Sequence, residues 1–302
     1  MSKFDTNIFR NVTVALNTPY DHEGNLSIPA SKKLARYYYD KGIRQLYVCG
    51  STGEGFLMDL DERMALVDAV MEEVGDKMVV IDHVGAPATR HSVILAKHAE
   101  KAHVHATSAV PCVYYRPGEE SVFAHWTAIT EAADLPFFIY NIPQLTGFNL
   151  SMNLFNRMVK NERVAGMKCA SDPASDIMKF KQAGGKDFFI FNGPDEQYLA
   201  GRLMGADAGI GGTYGAMPEL YLKLESAIQT KDIDKAVKLQ NIITGFIFRM
   251  VAISSVYGVS KALIRLDGLD IGDPRLPFLP VSSEDPRVIS LYKDIQKAIK
   301  EN

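Results

Sequence analysis

Charge of one sign, cysteine and long apolar runs are all scarce in this chain. Its 33 Lys and Arg stand against 36 Asp and Glu, a formal net charge of −3. That balance gives no electrostatic footprint for nucleic acid or an anionic membrane surface. No run of about 18 apolar residues occurs, and "MSKFDTNIFRNV" at the N-terminus lacks the apolar core of a signal segment. Three cysteines (Cys49, Cys112 and Cys169) lie far apart without CxxC spacing. An odd, sparse set fits reduced thiols in the cytoplasm better than a disulfide framework. No linker is low in complexity, no short-period repeat shows, and no GxGxxG follows the first β-rich run. The expectation is a cytoplasmic globular protein with no nucleic acid or membrane as partner.

What is present is alternation. Short β-rich runs recur at 12–16, 45–50, 78–85, 106–111, 136–141, 164–168, 188–193 and 207–212. Between them lie stretches such as "IPASKKLARYYYDKG" and "DERMALVDAVMEEVGDK", whose apolar residues recur at i, i+3, i+4. Strand–helix alternation predicts a parallel sheet with helices outside it. Eight units predict an α/β fold of the closed (β/α)8 TIM-barrel kind, with a doubly wound open sheet as the rival. From about Leu222 the strands stop and helical patterns continue, in "AIQTKDIDKAVKLQNIITGFIFRMVAISS" and "PRVISLYKDIQKAIKEN". The expected organisation is a catalytic barrel over 1–221, then the last barrel helix and a helical extension over 222–302.

In such barrels the reacting groups come from the C-terminal ends of the strands. Those ends carry Ser51 and Thr52, Tyr114, Tyr140, Lys168, then Gly193, Asp195 and Glu196, and finally Gly211 and Gly212. Lys168 closes the apolar run "VAGM". Its bland reading is a lysine snorkelling to water. Its functional reading is a Schiff-base amine. An unperturbed lysine, with a pKa near about 10.4, is almost wholly charged at neutral pH, and burial disfavours that charge. Tyr140 is either a barrel tyrosine with a wet hydroxyl or a proton shuttle. The Gly/Ser/Thr turn "CGSTGEGF" offers consecutive N–H groups and hydroxyls, a natural cradle for a carboxylate.

"YVCGSTGEGFLMDLDER", "IDHVG", "FFIYNIPQLTGFNLS", "GMKCAS", "FNGPDEQYLAGRLMGADAGIGGTY" and "AVKLQ" occur in this order. Together they resemble the pyruvate-dependent class I lyases, the superfamily of N-acetylneuraminate lyase and dihydrodipicolinate synthase. The resemblance implies that Lys168 forms an imine with the 2-oxo carbon of pyruvate or of the cleaved 2-oxo acid. It implies that Tyr140 is the acid/base phenol and that Ser51 and Thr52 hold the pyruvyl carboxylate. Tyr114 matches a tyrosine that enters the neighbouring subunit's site, which implies a homotetramer. No metal or other cofactor is implied, because the protonated imine is itself the electron sink.

Departures bear on the branch. Dihydrodipicolinate synthases usually carry an arginine where this chain has Leu145, and a leucine cannot replace a bidentate carboxylate clamp. Asp195 and Glu196 resemble lyase residues that accept hydrogen bonds from a sugar's hydroxyl chain, and Gly193, Gly211 and Gly212 line the same expected site. Ala170 and Gly212 stand where neuraminate lyases typically have a threonine and a serine. The expected reaction is reversible cleavage of a 2-oxo sugar acid, N-acetylneuraminate first, to pyruvate and a sugar aldehyde. The runner-up is 4-hydroxy-tetrahydrodipicolinate synthase or another pyruvate-dependent sugar-acid aldolase or dehydratase. A metal-dependent hydrolase is the rival chemistry, since His103 and His105 have i, i+2 spacing. That pair precedes the fourth strand and falls on the rim away from the expected site. A noncatalytic paralogue would have lost Lys168 or Tyr140; both are present.

Overall fold

Each of the eight β-rich runs forms a strand in the computed structural model, which describes residues 2–302, and the strands close into a barrel in the order β1 to β8. The first half of the chain holds β1 (Val12–Ala15), α1 (Ile28–Asp40), β2 (Gln45–Val48), α2 (Leu60–Val74), β3 (Val79–His83), α3 (Thr89–Lys101), β4 (Ala106–Ala109) and α4 (Glu119–Ala132). Then come β5 (Phe137–Asn141), α5 (Pro143–Thr146), α6 (Met152–Met158), β6 (Val164–Cys169), α7 (Ser175–Gly184), β7 (Phe189–Asn192), α8 (Tyr198–Leu203) and β8 (Ala208–Gly211). Four helices follow: α9 (Pro218–Gln229), α10 (Ile233–Ile253), α11 (Val256–Leu266) and α12 (Pro286–Glu301). Closure decides against the open doubly wound sheet.

The chain divides into two compact units, one ending at Asn11 and resuming over Val79–Ile210, the other Val12–Met78 with Gly211–Asn302. In the first unit, parallel pairing runs from β3 to β8, and Phe138 pairs with Gly166, Gly166 with Phe189. Paired residues in register leave the sheet on the same face. Phe138, Phe189 and Phe191 accordingly meet edge-on or tilted, with ring centroids 4.7–6.1 Å apart. Phe9, from the N-terminal 3-10 turn, sits 5.0 Å from Phe138 and is fully buried. Each ring so buried contributes roughly 1.5–3 kcal/mol.

In the second unit β1 pairs with β2, Ala15 opposite Tyr47. Helix α1 starts where the Ser27 hydroxyl accepts the Ala30 amide and Pro29 occupies the first turn. Glu62 on α2 reaches back to the Asp59 amide at 3.0 Å. The C-terminal helices pack here, Asp267 accepting from Tyr37 and, at 2.7 Å, from Tyr292, while Lys41 lies 3.1 Å away. Helix α10 is long and apolar enough to cross a membrane by length and composition alone. It buries Ala236, Leu239, Ile243, Phe246 and Met250 along one face, the spacing of a packed core helix.

Candidate active site

Lys168 and Tyr140 are register partners on β6 and β5, so their side chains share the face that carries the phenylalanine cluster. That face is the barrel interior. The Lys168 Nζ lies 4.2 Å from the centroid of the Tyr140 ring. Lys168 is 6% exposed and Tyr140 2%, so both side chains are buried. Cys169 leaves the opposite face, as alternation requires, with its Sγ 3.2 Å from the Ser171 hydroxyl. Burial pushes its thiol pKa up, against the hydrogen bonds from Ser171, which disfavours the nucleophilic thiolate.

His83, within "IDHVG", is not among the residues that the sequence singles out. It pairs in register with Ser108, and its ring stands edge-on to Tyr140 with centroids 5.8 Å apart. Its Nε2 accepts the Val110 amide at 3.2 Å, which assigns the ring proton to Nδ1. The signal that could have found it is strand parity. Positions 81 and 83 share the parity that turns inward, and "IDHVG" ends on the active rim.

The end of β7 supplies the next group. Asn192 donates to the Pro194 carbonyl at 2.7 Å, which holds the turn into Asp195. Asp195 is buried and opens a 3-10 turn, whereas Glu196 beside it is exposed, so the two carboxylates occupy different environments. Gly193 donates its amide to the Cys169 carbonyl at 2.8 Å. A Cβ on Gly193 would fall 2.5 Å from that of Ala170, so the strand ends converge only because both residues are small. Tyr114 follows β4 in a left-handed conformation, φ 76°, and is 86% exposed. Its ring packs edge-on against the equally solvent-facing Tyr115. Leu145, on α5, is 63% exposed.

In the second unit, Ser51 and Thr52 lie in a turn closed by two backbone bonds. The Glu54 amide donates to the Ser51 carbonyl at 2.9 Å and the Gly55 amide to the Gly50 carbonyl at 3.1 Å. Both hydroxyl residues are half-buried. Gly211 ends β8, and a Cβ on the next residue, Gly212, would come 2.7 Å from the Thr52 Oγ1. Gly212 therefore lets β8 pass close to the turn, and a serine there would press on Thr52.

The histidine pair of the rival reading is committed elsewhere. His105 Nδ1 accepts the Val80 amide at 3.1 Å, and burial lowers its pKa. His103 occupies the left-handed turn before β4. Among the described residues no group of three or more His, Cys, Asp or Glu side chains could hold a metal ion.

Comparison with known proteins agrees with this geometry. The model of the dihydrodipicolinate synthetase family matches residues 8–297. An N-acetylneuraminate lyase of Mediterraneibacter gnavus is 41% identical over 93% of this chain and 90% of its own length. N-acetylneuraminate lyase 2 of Escherichia coli is 34% identical over 93% of this chain and 92% of its own. Among solved structures, the catalytic lysine mutant of a Ruminococcus gnavus sialic acid aldolase superposes with a TM-score of 0.96. It is 39% identical, covering 100% of this chain and 99% of that one. The chain belongs to the dihydrodipicolinate synthetase family.

Proposed function

We propose that the protein is a class I carbon–carbon lyase that cleaves N-acetylneuraminate reversibly to N-acetylmannosamine and pyruvate. One observation carries the reading: a buried lysine on the inner face of a barrel, 4.2 Å from the ring of a buried tyrosine. The 41% identity to an N-acetylneuraminate lyase supports the choice of sugar acid.

The neutral Lys168 amine attacks the 2-oxo carbon of the open-chain sugar acid, Tyr140 protonates the departing hydroxyl, and loss of water leaves a protonated imine and the Tyr140 phenolate. Tyr140 takes the proton from the hydroxyl on the carbon two positions away. The bond between that carbon and its neighbour breaks, the aldehyde leaves, and the electron pair moves into an enamine. Tyr140 relays a proton back to the enamine carbon, and water hydrolyses the imine to free pyruvate and the lysine. Ser51, Thr52 and their backbone amides hold the carboxylate, while Gly193, Gly211 and Gly212 keep the walls close. Asp195 and Glu196 accept hydrogen bonds from the sugar hydroxyls. The imine serves as electron sink, so neither metal nor organic cofactor enters. The 86% exposure of Tyr114 supports its insertion into a neighbouring subunit of a homotetramer. We place the enzyme in the cytoplasm, with the barrel over 1–221 and the last helix and extension over 222–302.

Pyruvate with borohydride should add one reduced pyruvyl group per chain, mapped to Lys168, and dialysis against a chelator should leave turnover intact. Cleavage of N-acetylneuraminate is the expected outcome of a substrate screen. Robust condensation of pyruvate with aspartate semialdehyde instead would move the protein to the dihydrodipicolinate synthase branch.

A further inference from the structure

The turn that carries Ser51 and Thr52 is bracketed by two non-glycine residues in left-handed conformation, Cys49 with φ 58° and Glu54 with φ 55°. Such residues persist only where the surroundings over-determine them. At Glu54 the surroundings come from the C-terminal extension. Its carboxylate is fully buried, with one oxygen accepting the Arg275 amide at 2.7 Å and the other 3.1 Å from the Lys261 Nζ. Lys261, on α11, is also fully buried and donates to the carbonyls of Thr18 at 2.7 Å and Asp273 at 3.0 Å. Thr18 completes the ring of contacts by donating its hydroxyl to the Gly53 carbonyl at 2.5 Å. Lys261 Nζ and the Arg275 guanidinium both lie over the Tyr20 ring, 4.4 and 4.3 Å from its centroid.

We infer that the Glu54–Lys261 ion pair is a positioning device that sets the Ser51–Thr52 turn for its carboxylate ligand. This rests on the reading of that turn under the proposed function. A surface lysine would hold Glu54 no better than water does. A buried one, pinned by its hydrogen bonds to the Thr18 and Asp273 carbonyls and standing 3.1 Å from Glu54, holds the carboxylate in place by charge. That pairing holds the backbone at Glu54, which donates its amide to the Ser51 carbonyl at 2.9 Å. The extension thereby tunes substrate affinity without touching substrate.

The test is borohydride trapping of pyruvate as a function of pyruvate concentration. Lys261→Met alone leaves a buried carboxylate without its cation and invites misfolding. The double variant Glu54→Gln with Lys261→Met removes both charges, and Thr18→Val is a milder probe that removes only the hydroxyl. The double variant should melt cooperatively, trap at Lys168 with a near-wild-type maximal rate, and need about 10-fold or more extra pyruvate for half-saturation. Thr18→Val should shift half-saturation in the same direction by about 3-fold, and it reports on the same clamp if the double variant does not fold. A purely structural role would change melting and leave half-saturation where it was in every folded variant; that result overturns the inference. Failure of the wild-type protein to trap pyruvate at all would overturn the proposed function instead.

Discussion

Among the described residues two lysines are buried, and their surroundings differ. Lys168 comes from the inner face of a strand and meets the ring of Tyr140. Lys261 comes from a helix and spends its ammonium on a carboxylate and two carbonyls. Burial lowers the Lys261 pKa to about 8, with Glu54 opposing the change, and the same burial pushes the Glu54 carboxyl up. A depressed pKa is often taken as the mark of a reactive amine. Lys261 carries that mark, yet its ammonium is walled in by acceptors. Under the proposed function what nominates the nucleophile is a proton relay beside it, the place Tyr140 has at Lys168.

The largest effect that would break this comparison comes from exchanging the two lysines for methionine. Lys168→Met should abolish the borohydride adduct and turnover, while any folded Lys261→Met protein should still form the adduct at Lys168, as peptide mapping would show. An adduct that moved to Lys261 would reverse the assignment. Next in size is Tyr140→Phe, which keeps the ring beside Lys168 and removes only the phenolic oxygen. Turnover should fall by roughly 10²–10⁴-fold, the range for a positioned acid/base group, with melting little changed. A near-wild-type rate would remove Tyr140 from the relay. Asp195→Ala should raise the Michaelis constant for the sugar acid by roughly 10-fold or more, the order expected for a lost charged hydrogen bond. Pyruvate trapping should stay nearly constant, and a parallel loss of trapping would place Asp195 at the pyruvyl end instead.

The smallest effect concerns pH. Because Lys261 titrates near 8 in the folded protein and near 10.5 when free, the unfolded chain binds more protons across that window. Stability from this residue therefore rises as pH climbs from about 8 towards 10.5. The wild-type melting temperature should gain roughly 1–4 °C on that of the Glu54→Gln, Lys261→Met protein between pH 8 and 10. Parallel melting curves at both pH values would show that Lys261 keeps an ordinary pKa.

Lys168 was legible in the sequence because a charge closed an otherwise apolar strand, and the barrel because its eight runs alternate with helical patterns. Lys261 raises the same question within "YGVSKALIRL", but its answer lies at Glu54, and no local pattern links a helix residue to a turn so distant in the chain. His83 was missed for a related reason. Its neighbour Tyr140 is brought beside it by sheet closure, which periodicity cannot express. The separation of Asp195 from Glu196 into buried and exposed environments follows from a single 3-10 turn, below the resolution of any pattern of hydrophobicity. Helix α11 itself begins where the Ser255 hydroxyl accepts the Gly258 amide, just past the end of the helical stretch read in the sequence.

The Phe9 ring, seated among Phe138 and Phe189, sets a timetable. Its partners are synthesised long after it, so on a growing chain this residue waits unsatisfied until the fifth and seventh strands have emerged. Contacts of such sequence separation form late because the loop between them must first be closed. A segment made before its partners is then among the last to lock. Until it does, an apolar ring is offered to whatever else is in solution, which exposes the nascent chain to association.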